Sequence, residues 1–292
     1  MLKSRKPSEK LVDTMNIILL ALIALTMLFP FYYMFVVSFA TYEEFVKTDL
    51  LLFPKTWVLD AYEYIIGSKA FIRSLGVTIY VTIVGTLVSL LLTAMMAYAL
   101  SRNILGQKIY VFLVLFTFVF GAGMIPTYMI VQATGLMDSL WALIIPGAIS
   151  SFNLIVMRQF FMALPMDLTE AAIIDGANDL QIFAKIILPL SKPALAAFGL
   201  FYAVGIWNSY FTALLYLSDP AKWTVQVVLR QLVILNQGNV LDVGVQAGMT
   251  NPPPAETVGM AAILVATIPI LIVYPFLQKH FAKGVMLGSV KE

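Results

Sequence analysis

The amino-acid sequence predicts an all-α integral membrane protein that crosses the bilayer six times. Three observations lead there. Hydrophobic residues make up 61% of the 292 and charged ones only 12%, where a soluble domain carries about 25% charged residues; the mean hydropathy is +0.91. So few charges cannot solvate a whole protein surface, and lipid must be the solvent for much of it. The charges also cluster, leaving uncharged windows at 14–42, 74–101, 109–137, 139–157, 193–218 and 257–278. Each is close to or above the ~20 residues a helix needs to cross the hydrocarbon. None alternates with period two, which argues against a β-barrel. A charge at mid-membrane costs about 2.5–3.5 kcal/mol on insertion scales, and that cost explains the gaps.

In chain order, the first window follows Lys3, Arg5, Lys6 and Lys10 and could be mistaken for a signal peptide. Its apolar run exceeds the roughly 7–15 residues of a signal h-region, and no A-x-A site follows. It reads as a retained span, kinked at Pro30. The segment 41–73 holds a short amphipathic helix capped by Asp60 and carrying Tyr62, Tyr64, Ile65 and Ile66. The third and fourth windows are separated by Asp138 alone, with Gly135 beside it, and form a tight helical hairpin. Gly121, Gly123 and Pro126 weaken the third helix, either opening a cavity or giving a packing kink. In the segment 219–256, Asp219 and Pro220 read as N-cap and first residue of a helix to about Leu235, with Trp223, Val227 and Leu235 on one face. Gly238 and the Asn-Pro-Pro-Pro run at 251–254 then interrupt regular structure. Both long segments read either as interfacial packing with aromatics at headgroup depth or as a docking surface.

The spans fall at about 14–40, 74–101, 109–132, 139–161, 194–217 and 257–279, within a transmembrane unit of residues 14–281. Residues 1–13 form an N-terminal extension, 162–192 the loop joining spans four and five, and 282–292 a tail. An even number of spans puts both ends on one side. With that side cytoplasmic, twelve of the 18 basic residues lie inside: Lys3, Arg5, Lys6, Lys10, Arg102, Lys108, Arg158, Lys185, Lys192, Lys279, Lys283 and Lys291. Nine of the 16 acids lie outside. The bias obeys the positive-inside rule, so both termini are expected in the cytoplasm.

Several chemistries are excluded. There is no Cys and a single His, His280, so thiol nucleophiles, Cys-bound metals and disulfides are out, and no metal site is expected. A net charge of +2 gives no reason to expect nucleic acid. No G-x-x-x-x-G-K-[ST] occurs, and Gly121-Ala122-Gly123 lacks the later glycine and strand of a dinucleotide site. The chain is therefore not expected to be an enzyme, and any nucleotide chemistry belongs to a partner. No Asp, Glu, His or Lys lies at membrane depth to relay protons, and no inverted halves are evident; both argue against the self-contained carrier or channel. A membrane scaffold with the 162–192 loop as its docking element is a third class.

That loop carries the most specific signal. Asp167 with Glu170 three residues on reads as a capping box. Ala171, Ala172, Ile173 and Ile174 continue the helix, and Gly176 suits a left-handed stop. Asn178 with Gln181 forms a second cap pair, opening a helix that ends near Pro189. Two short helices at a fixed angle result, with a small-residue surface at Ala171, Ala172 and Gly176 flanked by Glu170 and Asp175. Such an elbow could serve as a lever for a partner, or be an ordinary capped loop.

The run Glu170-Ala171-Ala172, Gly176, Ile186, Leu188-Pro189 resembles, at every position, the EAA loop of ABC-importer permeases. Its surroundings are similar to the carbohydrate permeases related to the second membrane subunit of the maltose transporter, closest in appearance to the branch serving complex or uronide oligosaccharides. Asp175-Gly176-Ala177, Leu188-Pro189-Leu190 with Pro193, Trp207-Asn208 and the tail from Lys283 to Lys291 all fit, and the likeness covers nearly the whole chain. The resemblance implies a type I importer permease of a bacterial cell membrane whose cytoplasmic coupling helix sits in a cleft of an ATPase subunit. Glu170, Ala171, Ala172, Asp175, Gly176, Ala177, Ile186, Leu188 and Pro189 would form the coupling site, and Gly284, Gly288 and Ser289 a tail reaching the ATPases. Two ATPase subunits binding ATP and Mg, a second homologous permease and an extracytoplasmic solute-binding protein are the implied partners. The implied cargo is a sugar or oligosaccharide; amino acids, peptides and phosphonates stay open, because the EAA loop is shared among importers.

A sugar path needs hydrogen-bonding groups and flat apolar faces. Tyr128, Asn153, Trp207, Asn208, Tyr210 and Phe211 supply both within the spans. Asn in lipid must find a partner, so interhelical bonding is the other reading of Asn153 and Asn208, and packing that of the aromatics.

Overall fold

The computed structural model describes residues 7–234 and 253–285. Every regular element among them is helical: α1 (Pro7–Ser38), α2 (Tyr42–Lys47), α3 (Asp60–Gly67), α4 (Lys69–Ser101), α5 (Gln107–Val119), α6 (Met124–Ala133), α7 (Ser151–Met162), α8 (Asp167–Ile174), α9 (Asp179–Ile182), α10 (Leu188–Leu190), α11 (Lys192–Trp207), α12 (Phe211–Tyr216), α13 (Val225–Val233) and α14 (Ala255–Val285). Short 3₁₀ turns lie at Leu140–Leu143 and Pro220–Lys222, and a π turn at Phe183–Ile187 joins α9 to α10.

Three helices are long and apolar enough to cross a bilayer unbroken: Leu11–Ser38, Lys69–Ser101 and Ala255–Val273. They match the first, second and last charge-free windows. The apolar stretch of α1 is unburied, with Leu11, Ile17, Leu20, Leu25 and Met27 all well exposed. Soluble proteins rarely leave so large an apolar surface bare, and lipid is the medium that accommodates it.

The middle windows are not single helices. The third breaks at Phe120–Gly123, where α5 and α6 meet at 117°. Gly123 has φ +81°, a conformation costly for any residue with a Cβ. In the fourth, residues 144–150 are irregular around Pro146 and Gly147, leaving α7 only 12 residues, or about 18 Å of helix. The expected helical hairpin is thus a left-handed turn at Gly135 (φ +70°) and Asp138 (φ +54°) followed by a 3₁₀ turn and irregular chain. The fifth breaks at Asn208–Tyr210 between α11 and α12. Upstream, the run Asp179–Leu190 bends by 83° into α11 at Ser191. Pro193 cannot donate a helical hydrogen bond across that bend.

The described chain divides into two compact units. One comprises residues up to Phe71 together with Leu229–Ala266, the other Ile72–Val228 and residues from Thr267 onward. In the first, Val36, Ala40 and Leu51 form a small core. Glu44 fastens the loop after α2 by accepting from the backbone N–H groups of Lys55 and Thr56 and from the Thr56 hydroxyl, all at 3.1 Å. Phe39 packs on Trp57 and Tyr62, and the Tyr62 and Ser38 hydroxyls are 2.8 Å apart. The helix at 60–67 exists as expected, but Asp60 is its first residue, not its cap. Leu59 occupies the cap position without a side-chain bond, and Tyr64 and Ile65, not Ile66, face inward.

The second unit has a main core that gathers Ala94, Ala97, Tyr98 and Leu100 of α4, Val114 of α5, Leu154, Met157 and Phe161 of α7, Ala172 of α8, Ile182, Phe183 and Ile187, and Ala194 and Phe198 of α11. Asp219 does cap, accepting from the Ala221 N–H at 2.8 Å, but it caps the 3₁₀ turn. The chain is extended at Trp223, and α13 starts separately at Val225, whose N–H donates to the buried Thr78 hydroxyl at 2.8 Å. Val227 is buried in that unit, while Leu235 lies outside the described residues.

Candidate functional site

The elbow at 167–190 is built from two arms. α8 begins one residue earlier than the capping-box pattern requires. Met166 already has helical angles (φ −66°, ψ −32°), so Asp167 is the first helical residue, and no side-chain cap bond forms. A capping side chain reaches back over the helix only from an extended residue. Asp167 and Glu170 instead lie in the first turn, where the helix dipole favours negative charge. The stop is as the sequence indicated: Gly176 has φ +83° and its N–H donates to the Ile173 carbonyl at 3.0 Å. The second arm opens on a full capping box. Asn178 Oδ1 accepts from the Gln181 N–H at 2.9 Å, and Gln181 Oε1 accepts from the Asn178 N–H at 3.0 Å.

The EAA-pattern residues divide between two faces. Ala172 is buried in the main core, and Ala177, Ile186 and Leu188 pack against it. Glu170, Ala171, Asp175, Gly176 and Pro189 are exposed. Ile173, Ile174 and Leu180 are exposed as well, Ile174 by 85%. An apolar, small-residue surface with two carboxylates therefore rests on a seat made by α4, α7 and α11.

Sequence reasoning missed what fastens that seat. The Leu100 carbonyl, in the last turn of α4, accepts from Arg158 Nε and from Gln107 Nε2, both at 2.8 Å. Arg102 Nη2 donates to the Tyr98 hydroxyl at 3.0 Å and to the Thr169 hydroxyl of α8 at 3.2 Å. The Tyr98 ring packs on Phe183 with centroids 5.2 Å apart. Arg102 and Arg158 were visible only as basic residues near span ends; Tyr98 is one helical turn from Arg102, but Thr169 and Leu100 are 67 and 58 residues from the arginines they accept from.

The residues proposed for a sugar path do not form one cluster. Trp207 lines a cavity of about 360 Å³ together with Ile79, Thr82 and Ile83 of α4, Leu200, Ala203 and Val204 of α11, and Pro269, Ile270, Ile272 and Val273 of α14. Its lining is apolar apart from Thr82, which is wrong for a hydroxyl-rich ligand. Asn208 ends α11, and its Nδ2 donates to the Val204 carbonyl of its own helix at 2.9 Å. Tyr210 and Phe211 lie at the α11–α12 break, Phe211 exposed. Tyr128 stacks on Tyr216 of α12 at 6.3 Å. Asn153 is buried in the first turn of α7. Nearby, the Tyr202 hydroxyl pairs with Thr93 at 2.7 Å and accepts the Ser150 N–H at 3.0 Å. Thr93 belongs to a set of hydroxyls (Ser74, Thr78, Thr82, Thr86, Ser89, Thr93) recurring at helical spacing along one side of α4. That period was a readable signal. In the tail, Gly284 is within α14, while Gly288 and Ser289 lie outside the described residues.

Comparison with known proteins adds identity to this geometry. The model of a family described as binding-protein-dependent transport system inner membrane component matches residues 85–287. The polygalacturonan/rhamnogalacturonan transport system permease protein YtcP of Bacillus subtilis (strain 168) is 52% identical over 284 residues, covering 97% of this chain and 99% of the relative. Protein LplC of the same organism is 48% identical, covering 97% and 95%. Among solved structures, a chain of a bacterial ABC transporter involved in the import of the acidic polysaccharide alginate superposes with a TM-score of 0.89 at 36% identity, covering 95% of this chain and 99% of that one.

Proposed function

Because this chain belongs to the family of binding-protein-dependent transport system inner membrane components, we propose that it forms half of the translocation path of an ATP-driven importer for acidic oligosaccharides. Membership makes it a transport permease subunit and sets aside the self-contained carrier and the scaffold. One observation carries the substrate class. The relative at 52% identity is named for polygalacturonan and rhamnogalacturonan, and the solved transporter at 36% is involved in alginate import; all three are polymers containing uronic acid.

In this reading the chain crosses the membrane six times, with α5–α6 and α11–α12 as broken spans and 139–161 as the fourth. Non-helical backbone at membrane depth is tolerated where it is buried in protein or lines a cavity, and three broken segments side by side suit a path. Both termini and the elbow lie in the cytoplasm. Glu170, Ala171, Asp175 and Gly176 meet the ATPase, while Ala172, Ala177, Ile186 and Leu188 hold that surface to the spans and Pro189 helps end the second arm. The partners are a second homologous permease, two ATPase subunits that bind ATP and Mg, and an extracytoplasmic binding protein. The tail at Gly284, Gly288 and Ser289 reaches the ATPases. Asn208, Tyr210 and Phe211 face the cargo at the α11–α12 break, and Tyr128 of α6 and Asn153 of α7 belong to the same path. Trp207, enclosed by apolar side chains, packs beside the path and does not hold sugar.

The test is a proteoliposome containing this chain with its partner permease, the ATPases and the binding protein. Oligogalacturonides on the binding protein should raise ATP turnover and accumulate inside, while neutral glucans of equal length should do neither. Equal stimulation by neutral glucans would remove the acidic assignment.

A further inference from the structure

We propose that Arg102 is the residue through which the elbow moves α4, a positioning residue for coupling and not a helix cap. The inference rests on the reading of 167–190 as the ATPase-facing elbow. It starts from how little α8 has to hold it. Of its eight residues only Thr169 and Ala172 are buried, and alanine offers one methyl group for grip. The polar link is Thr169, whose hydroxyl accepts from Arg102 Nη2 at 3.2 Å. The same nitrogen donates to the Tyr98 hydroxyl at 3.0 Å, and the guanidinium carbon lies 4.8 Å from the centre of the Tyr98 ring. Tyr98 in turn packs on Phe183 of the second arm. One guanidinium and one ring thus tie both arms of the elbow to the end of α4.

Capping does not explain Arg102. The Leu100 carbonyl is already taken by Arg158 and Gln107, so this arginine reaches away from the helix end toward α8. Close packing does not replace it either. A void of about 20 Å³ lies among Tyr98, Arg102, Met166 and Thr169, so the seat under the first turn of α8 is incompletely filled. A hydrogen bond to a charged donor sets the tilt of α8 there. Twenty residues back along α4, or about 30 Å of helix, Thr82 lines the cavity that contains Trp207. Tilting α8 against Arg102 therefore displaces a helix that runs to the membrane interior.

The experiment uses the full transporter in proteoliposomes and reads oligosaccharide taken up per ATP hydrolysed. Arg102→Met and Thr169→Val should each lower that ratio roughly tenfold, the scale of a lost hydrogen bond to a charged group, and the double variant no further. Co-purification of the subunits should be unchanged. Arg102→Lys, which keeps the charge but not the planar fork, should fall between. An unchanged ratio in Thr169→Val, or a loss that only tracks the amount of assembled complex, overturns the proposal. If Arg102→Met does not assemble, the near-isosteric Thr169→Val decides alone. Gly176→Val separates this inference from its premise. If it stays coupled, the elbow reading fails; if it uncouples while Thr169→Val does not, only the role of Arg102 fails.

Discussion

At the scale of single residues, Asp138 gathers several polar contacts at one turn. It sits at φ +54°, a region that a non-glycine residue occupies at a cost. Its carboxylate accepts from the Ser218 and Asp219 N–H groups at 3.1 and 3.0 Å and from Lys222 Nζ at 2.7 Å. The Lys222 ammonium first, then the Asp219 backbone, holds its carboxyl below the usual carboxylate range. A lowered value means the clasp is intact above the ordinary pKa of 3.8 and is lost as pH falls through the lower folded value. Asp138→Asn and Lys222→Met should each lower the melting temperature of the detergent-purified subunit at pH 7, and the double variant no more than either alone. The gap between wild type and Asp138→Asn should close as the melts are taken below pH 4. Full additivity, or a gap independent of pH, contradicts the clasp. Asp138 was legible as the lone charge between two windows. Its partner was not, because the ion pair joins residues 84 apart and hydropathy carries no record of such pairs.

At the scale of elements, the sequence is most readable where chemistry is local. The Asn178–Gln181 box and the Gly176 stop involve neighbours within three residues and appear as expected. Asp167 and Asp60 fail as caps for an equally local reason: the preceding residues, Met166 and Leu59, already occupy the cap positions. Helix continuity is less readable. An uncharged window reports what the solvent tolerates; the break at Phe120–Gly123 was signalled by its glycines, but those at Pro146–Gly147 and at Asn208 leave hydropathy untouched. Gly176 gives the sharpest element-level prediction. A Cβ there would meet nothing within 4 Å in this chain, so Gly176→Val acts through its left-handed backbone, at about 1–2 kcal/mol, and through bulk on the ATPase-facing surface. The variant should insert normally, yet hydrolyse ATP without matching uptake in proteoliposomes. A bulky residue at an exposed ordinary loop would leave uptake per ATP intact, and that result would refute the lever.

At the scale of the whole molecule, the open quantity is which segments cross. By length and composition the described helices allow three spans, or up to five if each bent pair is one. The second of those pairs includes the elbow's arm Asp179–Leu190, so the six-span reading depends on α11–α12 completing a span at 194–217 and on 139–161, where α7 is too short to traverse about 30 Å of hydrocarbon by itself. An irregular stretch can make up the difference only if its polar backbone is enclosed by protein, and Tyr202 accepting the Ser150 N–H is a bond of that kind. The chain has no Cys, so single cysteines report sidedness without background. In intact spheroplasts a membrane-impermeant maleimide should label Lys47→Cys and Gln132→Cys, and should reach Lys108→Cys and Asp175→Cys only after permeabilisation. Gln132 and Asp175 bracket the disputed segment. Labelling both from the same side would mean that 139–161 does not cross, that the elbow shares a face with the Asp138 clasp, and that no cytoplasmic ATPase could push on it.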